Sequence, residues 1–259
     1  IELVRPLLGS GRDELRQYLR DEGVVWAEDP SNENRDFERI RMRDAIGILA
    51  PFGITSESLS QVAGNMADGR DALDHYTAMA LRDACEIKHG VVAIDLETYK
   101  THPTEIARRV LVQAIMWITG SVYGPRRGAL AQVRAAILQG VAATVDGCQV
   151  STKKGRVYVY RELNAVRDVT CAAGTLWDGR WQITGPHDAG FEVRALGEDG
   201  IEGLDQWRDL QMPRGAVLSQ PAVWSGATLM ALPILGIGDK WQCELKRGPD
   251  TFFMDPLSH

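Results

Sequence analysis

Residues 26–43, WAEDPSNENRDFERIRMR, bring acids, an amide and a ladder of arginines together within eighteen positions. Glu28 and Asp29 precede a proline, which favours an extended or turn conformation rich in local side-chain acceptors. Arg39 and Arg43 stand four apart, so a helix would place both on one face. Such a segment could dock by one side and hold its guanidinium groups out on the other. Ordinary turn chemistry followed by a solvated helix face also explains these residue types.

Two short helices must position these side chains. A helix is predicted to begin near residues 34–36 and to end at about Ala50, before a proline and a glycine. Ahead of it, Ser10 is a good N-cap for a helix over residues 12–21, which Gly23 would close. The arginine ladder would therefore lie on the second helix.

The composition predicts a globular protein with ample material for a hydrophobic core. The chain has 259 residues, 44% of them hydrophobic. No apolar run approaches the roughly 20 residues of a membrane helix. The first residue is Ile1 rather than Met, which suggests a fragment, and no signal-peptide order follows it. The four cysteines form no CxxC pair, which argues against a zinc site or a disulfide framework and predicts reduced thiols in a cytoplasm.

Charge is divided unevenly along the chain. The net charge is −6, yet residues 100–167 hold 11 Lys and Arg against 3 Asp and Glu, a local net of +8 between two acidic flanks. A polyanion responds to the local field rather than to the total charge, so this stretch is a plausible footprint for phosphate. A separate group of acids on the preceding helical pattern fits a solvated face better than a metal site, because no loop of hard-cation ligands surrounds it.

The periodicity predicts an α+β fold, with a helical domain followed by a β-hairpin and a small mixed α/β C-terminal domain. Apolar spacing of three and four indicates helices over residues 56–86, 104–119 and 126–138. Alternation indicates a hairpin with strands at residues 143–151 and 156–161, joined by a basic turn.

Beyond residue 169 the sequence changes to short strands separated by glycines. WDGRW is predicted to be a turn, and PAVWSGATLMALPILG a pair of strands. A helix is predicted over residues 198–210. The tryptophans of this last third are assigned mainly to core packing, with base stacking as the lesser alternative.

Two sequence patterns resemble those of one protein family. WxEDPSN, a short polar spacer and then FxRxRxR resemble the motif that closes the catalytic domain of bacterial tRNA(Ile)-lysidine synthetases, and RPLL at residues 5–8 fits the segment before that motif. HPTEIARRVLVQAIMWITG, PRR and TVDGCQVSTKKGRVYVYRE are similar to the tRNA-binding helical domain and hairpin of the same family. Where the family often has TLGGC, this chain has TVDGC at residues 144–148.

The resemblance implies a ligase that forms a carbon–nitrogen bond during tRNA modification. Members use ATP to adenylate the C2 oxygen of the wobble cytidine in a minor isoleucine tRNA with a CAU anticodon, and lysine then displaces AMP. Their PP-loop domain carries an SGGxDS motif that wraps the phosphates, with Mg bound close by. This chain contains no SGGxDS, so it is predicted to be the carboxyl portion of such an enzyme and inactive alone. ATP and Mg are expected in the full-length enzyme and neither in this fragment.

The resemblance also divides the chain into three parts. Residues 1–52 would end the catalytic PP-loop domain, residues 53–167 would form a mainly helical tRNA-binding domain with a terminal β-hairpin, and residues 168–259 would form the small mixed α/β domain. The expected partner is tRNA, with lysine and ATP acting through the missing domain and no membrane involved. The oligomeric state stays open.

Individual roles carry over by motif, and no catalytic or metal-binding residue is expected in this fragment. The edge of the active-site pocket is assigned to Glu28, Asp29, Ser31, Asn32, Arg39 and Arg43. Contacts with the tRNA backbone are assigned to Arg108, Arg109, Arg126, Arg127, Arg134, Lys153, Lys154 and Arg156. Asn34 and Ile40 depart from the family's usual Asp and Asn, so neither receives a direct contact.

The alternative is a stand-alone RNA-binding or protein-binding module without catalysis, in which the basic stretch is merely a surface. A free-standing hydrolase is a poor candidate, because the sequence contains neither GxSxG nor HExxH and its five histidines are scattered.

Overall fold

The structure is a computed structural model that describes residues 3–7, 9–29, 31, 34–186 and 190–254. The chain divides into two compact units, residues 1–68 and 69–259. The boundary lies within the long helix α3 (Ser56–Ala84).

The first unit contains helix α1 (Arg12–Asp21), helix α2 (Glu38–Leu49), a 3-10 turn (Ala50–Phe52) and the start of α3. The predicted cap at Ser10 is wrong. Gly11 is the N-cap, and its N–H donates to Glu14 Oε2 at 3.2 Å, so a carboxylate three residues into the helix closes the helix start. Among the described residues of this unit, Ile40 alone has a buried side chain.

The second unit begins with a five-stranded antiparallel sheet and its helices. The elements in chain order are β1 (Cys85–Lys88), β2 (Val91–Asp95), α4 (Leu96–Thr101), α5 (Thr104–Thr119), α6 (Arg127–Gln139), β3 (Ala143–Val145), β4 (Cys148–Lys153) and β5 (Arg156–Arg161). The strand order is β1-β2-β5-β4-β3. The predicted hairpin is confirmed as β4 and β5, but the prediction of one strand over residues 143–151 is wrong, because a turn at residues 146 and 147 divides it into β3 and β4. Strands β1, β2 and β3 extend the hairpin into a sheet.

Two-residue turns fix the register of this sheet. Lys154 and Gly155 both have positive φ, 49° and 74°, as do Asp146 and Gly147, 46° and 72°. Such pairs match the twist of a tight hairpin, and Asp is among the residues that tolerate this conformation. The TVDGC variant therefore retains a turn between β3 and β4. A β-carbon at position 147 would lie 2.4 Å from Arg161 Nη1 and would be strained by the φ of 72°, so glycine is favoured there.

Alternation along β5 sends its side chains to two different cores. Val157 and Val159 are buried against helices α5 and α6. Tyr158 and Tyr160 point to the other face, where they pack with side chains from beyond residue 195. The sheet therefore joins the helical layer to the C-terminal elements. The predicted boundary at residue 168 lies within this shared packing, and the division into three domains stays a prediction.

The C-terminal elements form two small antiparallel sheets, ordered β11-β10-β9-β6 and β12-β8-β7. The elements are α7 (Leu163–Val166), β6 (Cys171–Ala172), β7 (Leu176–Trp177), β8 (Trp181–Thr184), β9 (Glu192–Ala195), α8 (Gly197–Ile201), α9 (Arg214–Leu218), β10 (Pro221–Ser225), β11 (Thr228–Ala231), β12 (Gln242–Leu245) and α10 (Pro249–Met254). The α+β class is confirmed.

One predicted element of this region is wrong. The helix expected over residues 198–210 is two pieces, α8 and a 3-10 helix (Asp205–Leu210). Gly203 between them has a φ of 77°, which a continuous right-handed helix does not allow. The tryptophans behave as predicted for core packing: Trp177 and Trp224 are almost fully buried.

Candidate nucleic-acid interface

The predicted pocket-edge acids are held by local hydrogen bonds. Glu28 Oε1 accepts from Arg16 Nη2 at 2.6 Å and from Trp26 Nε1 at 3.0 Å. The Trp26 hydrogen bond is the largest cause that lowers the pKa of Glu28, followed by the charges of Arg16 and Arg12. The carboxylate therefore ties helix α1 to the segment after it and stays ionised.

Asp29 organises the turn that follows. Its Oδ1 accepts from the Ser31 backbone N–H at 2.8 Å, and this bond is the main cause that lowers the pKa of Asp29. The nearby charge of Arg39 lowers that pKa further. Asp29, Ser31 and Arg39 therefore lie near one another, and their assignment to a pocket edge stays a prediction. Asn32 lies outside the described residues.

Helix α2 presents the arginine ladder to solvent. The Arg39 guanidinium lies 4.3 Å from the centroid of the Phe37 ring, a cation–π contact that orients it. Both Arg39 and Arg43 are exposed, and neither forms an ion pair with another described residue. Two guanidinium groups on this helix are therefore available to an external anion.

The arginines of helix α5 are arranged differently, around one carboxylate. Arg108 donates to Glu105 from Nη2 at 2.6 Å and from Nε at 2.9 Å, and Arg109 Nε donates to the same carboxylate at 3.0 Å. Arg109 is also paired with Asp74, and its side chain is only 13% exposed. The bonds from Arg108 are the largest cause that lowers the pKa of Glu105 to about 2. Arg109 therefore acts as a structural group in this fold.

Three other predicted tRNA contacts already have partners. Arg134 Nη1 donates to Thr104 Oγ1 at 3.1 Å, and Lys153 Nζ donates to the Met212 carbonyl at 2.6 Å. Arg156 pairs with Glu86. Each of these groups would have to give up or share an existing bond to hold a phosphate.

The remaining predicted tRNA contacts are Arg126, Arg127 and Lys154, which have few or no partners among the described residues. Arg127 lies 3.5 Å from Glu105, but its side chain is 84% exposed. The side chains of Arg126 and Lys154 are exposed and make no hydrogen bond or ion pair with another described residue. Arg126 is the N-cap of α6 and Arg127 its first residue, so both lie at the positive end of a helix. Of the eight predicted tRNA contacts, Arg126, Arg127 and Lys154 are therefore the least engaged within the protein.

Arg161, Asp178 and Arg180 form a shielded cluster that the sequence did not predict. Arg161 donates to both carboxylate oxygens of Asp178, at 2.9 and 3.0 Å. Arg180 is buried between the rings of Trp117 and Trp181, and Nη2 donates to the Gly90 carbonyl at 2.7 Å. Burial lowers the pKa of Arg180 to about 10. WDGRW, at residues 177–181, was the signal: its turn contributes both Asp178 and Arg180.

Other classes of site receive no support. Among the described residues, no group of three or more His, Cys, Asp or Glu side chains is placed to hold a metal ion. The cysteines are unpaired, and burial raises the pKa of the Cys85, Cys148 and Cys243 thiols to about 12, which makes them poor nucleophiles. In the described part of the chain, no helix is both long and apolar enough to cross a membrane.

Comparison with known proteins identifies the class of domain at the start of the chain and the family of the whole chain. A family model described as a PP-loop domain matches residues 1–49, so the arginine ladder lies in a segment of that class. Over all 259 residues the chain is 44% identical to the tRNA(Ile)-lysidine synthase of Ruegeria pomeroyi. Proteins of the same name from Wolbachia pipientis and Mesorhizobium japonicum are each 30% identical, over 71% and 89% of this chain.

The chain therefore belongs to the bacterial tRNA(Ile)-lysidine synthase family. It spans 62% of the length of the Ruegeria relative, 44% of the Wolbachia relative and 52% of the Mesorhizobium relative.

Proposed function

We propose that this chain holds tRNA in the cytoplasm as part of a tRNA(Ile)-lysidine synthase, a ligase that uses ATP to join lysine to C2 of the wobble cytidine of a minor isoleucine tRNA. The observation that carries this proposal is the 44% identity with the Ruegeria protein along the whole chain. The free cations support it, because electrostatic contact with phosphates supplies most of the sequence-independent affinity of proteins for nucleic acids.

The main tRNA contacts are assigned to Arg126, Arg127 and Lys154. Their side chains are exposed, and none has to leave a buried partner to reach a phosphate. Phosphates favour the positive end of a helix, where Arg126 and Arg127 lie. Arg108, Arg134, Lys153 and Arg156 are assigned a supporting share, since each already holds a partner.

The first unit is assigned to the edge of the catalytic pocket. Glu28, Asp29, Ser31 and Asn32 shape that edge, and Arg39 and Arg43 bind a phosphate or anchor that segment. Burial supports this assignment. Ile40 is the one buried side chain among its described residues, and Val25 is 95% and Phe52 80% exposed, so this unit leaves an unusually large apolar surface uncovered. Packing against the remainder of a PP-loop domain would cover such residues.

The residues of this chain do not fit the ATP phosphates. The sequence has no SGGxDS motif, and the glycines at positions 9 and 11 do not replace it. The Gly11 N–H at the start of α1 already donates to the Glu14 carboxylate, so negative charge occupies the position a phosphate would take. Incubation of the 259-residue chain alone with ATP, lysine and the tRNA is therefore expected to yield no lysidine.

Titration of the tRNA with this chain at about 50 and 200 mM monovalent salt tests the binding role. The Arg126→Ala, Arg127→Ala double variant removes two phosphate ligands, so the slope of log affinity against log salt should fall by about 1.5. The Lys100→Ala, Arg167→Ala variant is the matched control. It removes the same charge from the same basic stretch, at positions paired with Glu97 and Asn164.

Loss of slope in the first variant and not in the second supports the tRNA role. Binding that is unchanged in both variants, or absent in the wild type, contradicts it and favours the alternative, a module whose partners are proteins.

A further inference from the structure

A crevice of about 340 Å³ lies on the second unit, where the turn between β1 and β2 meets β8, β10 and β12 of the two small sheets. Its walls include His89, Trp181, Gln220, Trp241 and Gln242. None of the described residues that line it is Asp, Glu, Lys or Arg. A volume of this size is in the range that holds a small ligand or one group of a larger ligand.

Two buried side chains hold the β1–β2 turn that forms one wall of the crevice. Gln220 Nε2 donates to the His89 carbonyl at 3.2 Å, and Arg180 Nη2 donates to the Gly90 carbonyl at 2.7 Å. Gln220 is only 5% exposed and Arg180 only 8%. The wall therefore has a fixed position before any ligand binds, which lowers the entropic cost of binding.

Gln220 offers the crevice one hydrogen-bond acceptor. Its Nε2 also donates to the Ala216 carbonyl at 3.1 Å, and because carbonyls can only accept, the amide nitrogen must face both of them. Oε1 is left over. It accepts no hydrogen bond from another described residue, yet it is not fully shielded from solvent. Since Gln220 is otherwise buried and lines the crevice, Oε1 is available to a ligand there.

The remaining walls suit a flat and uncharged group. Trp181 and Trp241 are largely buried and contribute indole surface. Burial is the largest cause that lowers the pKa of His89, so its imidazole is neutral at pH 7. A phosphate inside the crevice would therefore meet no cation.

Positive charge lies close to the crevice without lining it. The charge of Lys88, the next residue in the chain, lowers the pKa of His89 further, so the Lys88 ammonium group is near that ring. A nucleotide suits this arrangement, because its base is flat and uncharged and its phosphate is an anion. An apolar peptide segment suits it less, because such a segment carries no anion for Lys88 to attract.

We propose that this crevice takes up one unpaired nucleobase of bound RNA, and that an exocyclic amino group of the base donates to Gln220 Oε1. Unpaired bases in loops and at chain ends are the parts of an RNA whose edges proteins can read. Adenine and cytosine carry such an amino group. The inference rests on the proposed tRNA binding and adds a contact with a base to the contacts with phosphates.

The test uses the full 259-residue chain and two pairs of labelled single-stranded RNA tetranucleotides. One pair compares adenine with purine and the other compares cytosine with 2-pyrimidinone, so the members of each pair differ only in the amino group. They carry the same phosphates, and the salt-dependent part of the affinity cancels in their ratio. In at least one pair, fluorescence anisotropy should show about fivefold tighter binding of the amino-bearing probe, as expected for one hydrogen bond.

Two variants assign this preference to the crevice. Gln220→Leu removes the acceptor, and the affinity ratio should fall to about one. Because this variant also loses both anchors of Gln220, thermal unfolding shows whether it is folded. Gln242→Trp leaves those anchors in place, and its larger side chain narrows the crevice, so its ratio should also fall to about one. Gln182→Trp is the matched control, since Gln182 is an exposed glutamine on the neighbouring strand β8, outside the crevice, and it should keep the wild-type ratio.

Each outcome decides the inference. A ratio of about one for both pairs in the wild type, together with salt-sensitive binding of tRNA, overturns the base site and leaves the proposed tRNA role standing. A preference that persists in folded Gln220→Leu or in Gln242→Trp also overturns it, and Gln242→Trp decides alone if Gln220→Leu does not fold. Failure of the wild type to bind tRNA at either salt concentration overturns both proposals.

Discussion

The arginines of helix α2 and those of helix α5 are alike in sequence and opposite in environment. Arg39 and Arg43 are four apart on α2, exposed, and without an ion pair among the described residues. Arg108 and Arg109 on α5 converge on Glu105, and Arg109 also reaches Asp74 on α3. The same residue type is thus left exposed in one region and bound into the fold in the other.

The difference lies in where the carboxylates come from. The basic stretch of residues 100–167 has a net charge of +8, but Asp74 and Glu86 belong to the acidic stretch before it and neutralise Arg109 and Arg156. Folding therefore lowers the effective charge of the surface below the count along the chain. Free cations, rather than total cations, define the candidate interface.

The largest effect is expected where an arginine and its carboxylate are both shielded. Asp178→Ala should lower the free energy of unfolding by about 3 kcal/mol, because it leaves the partly buried Arg161 guanidinium without its carboxylate and with only the Gly147 carbonyl as a partner. The Asp178 side chain is only 7% exposed, and it also occupies a left-handed turn position with a φ of 49°. Urea denaturation measures the change. Asp178→Asn, which tolerates the same backbone conformation, is the control and should lose less, whereas equal stability of Asp178→Ala and the wild type would contradict a structural role for this pair.

Arg109→Ala should come next, with a loss of about 2–3 kcal/mol in the free energy of unfolding. The substitution strands Asp74 and removes one of the bonds to Glu105, both partly shielded from solvent. The tRNA affinity of the folded variant should match that of the wild type. Arg126→Ala should show the reverse, weaker tRNA binding at unchanged stability. Lost binding with unchanged stability in Arg109→Ala would move Arg109 from the structural group to the interface.

In the wild-type chain, low pH should weaken the ion pairs of Glu105 with Arg108 and Arg109. The pKa of Glu105 falls from 4.5 to about 2 on folding, so its stabilising contribution is full above pH 4.5 and is lost as the pH falls through about 2. Solvent reaches about a third of this carboxylate, which limits the contribution to about 1–2 kcal/mol. Denaturation midpoints of the wild type and Glu105→Gln, measured between pH 2 and 5, should converge at the acid end. Parallel curves would refute the assignment of this pH dependence to Glu105.

Patterns among neighbouring residues predicted most helices and strands. Contacts between residues far apart in the sequence could not be predicted from such patterns. The β4–β5 hairpin and helix α5 followed from alternation and apolar spacing, which depend only on neighbouring residues. The break at Gly203 was missed because its positive φ depends on how the two helical pieces pack. The Arg109–Asp74 pair joins residues 35 positions apart, so no local pattern could reveal that this arginine is unavailable.

The same difference between neighbouring and distant residues applies to the candidate site. Asp29, Ser31 and Arg39 are close in sequence, and they also lie near one another in the structure. Arg180 donates to the Gly90 carbonyl from a position 90 residues away, and neither residue was predicted to be part of a site. The sequence supports a site where its residues are neighbours, and the fold is needed where they are not.

The smallest change in stability is expected for the α2 ladder, and that result would complete the contrast with α5. The Arg39→Ala, Arg43→Ala variant removes exposed side chains without stranding a buried partner, so the free energy of unfolding should stay within about 0.5 kcal/mol of the wild type. If these guanidinium groups bind phosphate, the variant should bind tRNA with a shallower salt dependence. Arg20→Ala, Arg35→Ala is the matched control from the same unit, since both arginines are exposed and Arg35 is paired with Asp44. A stability loss as large as that of Arg109→Ala would mean that the ladder anchors the fold after all, and the distinction between the two helices would disappear.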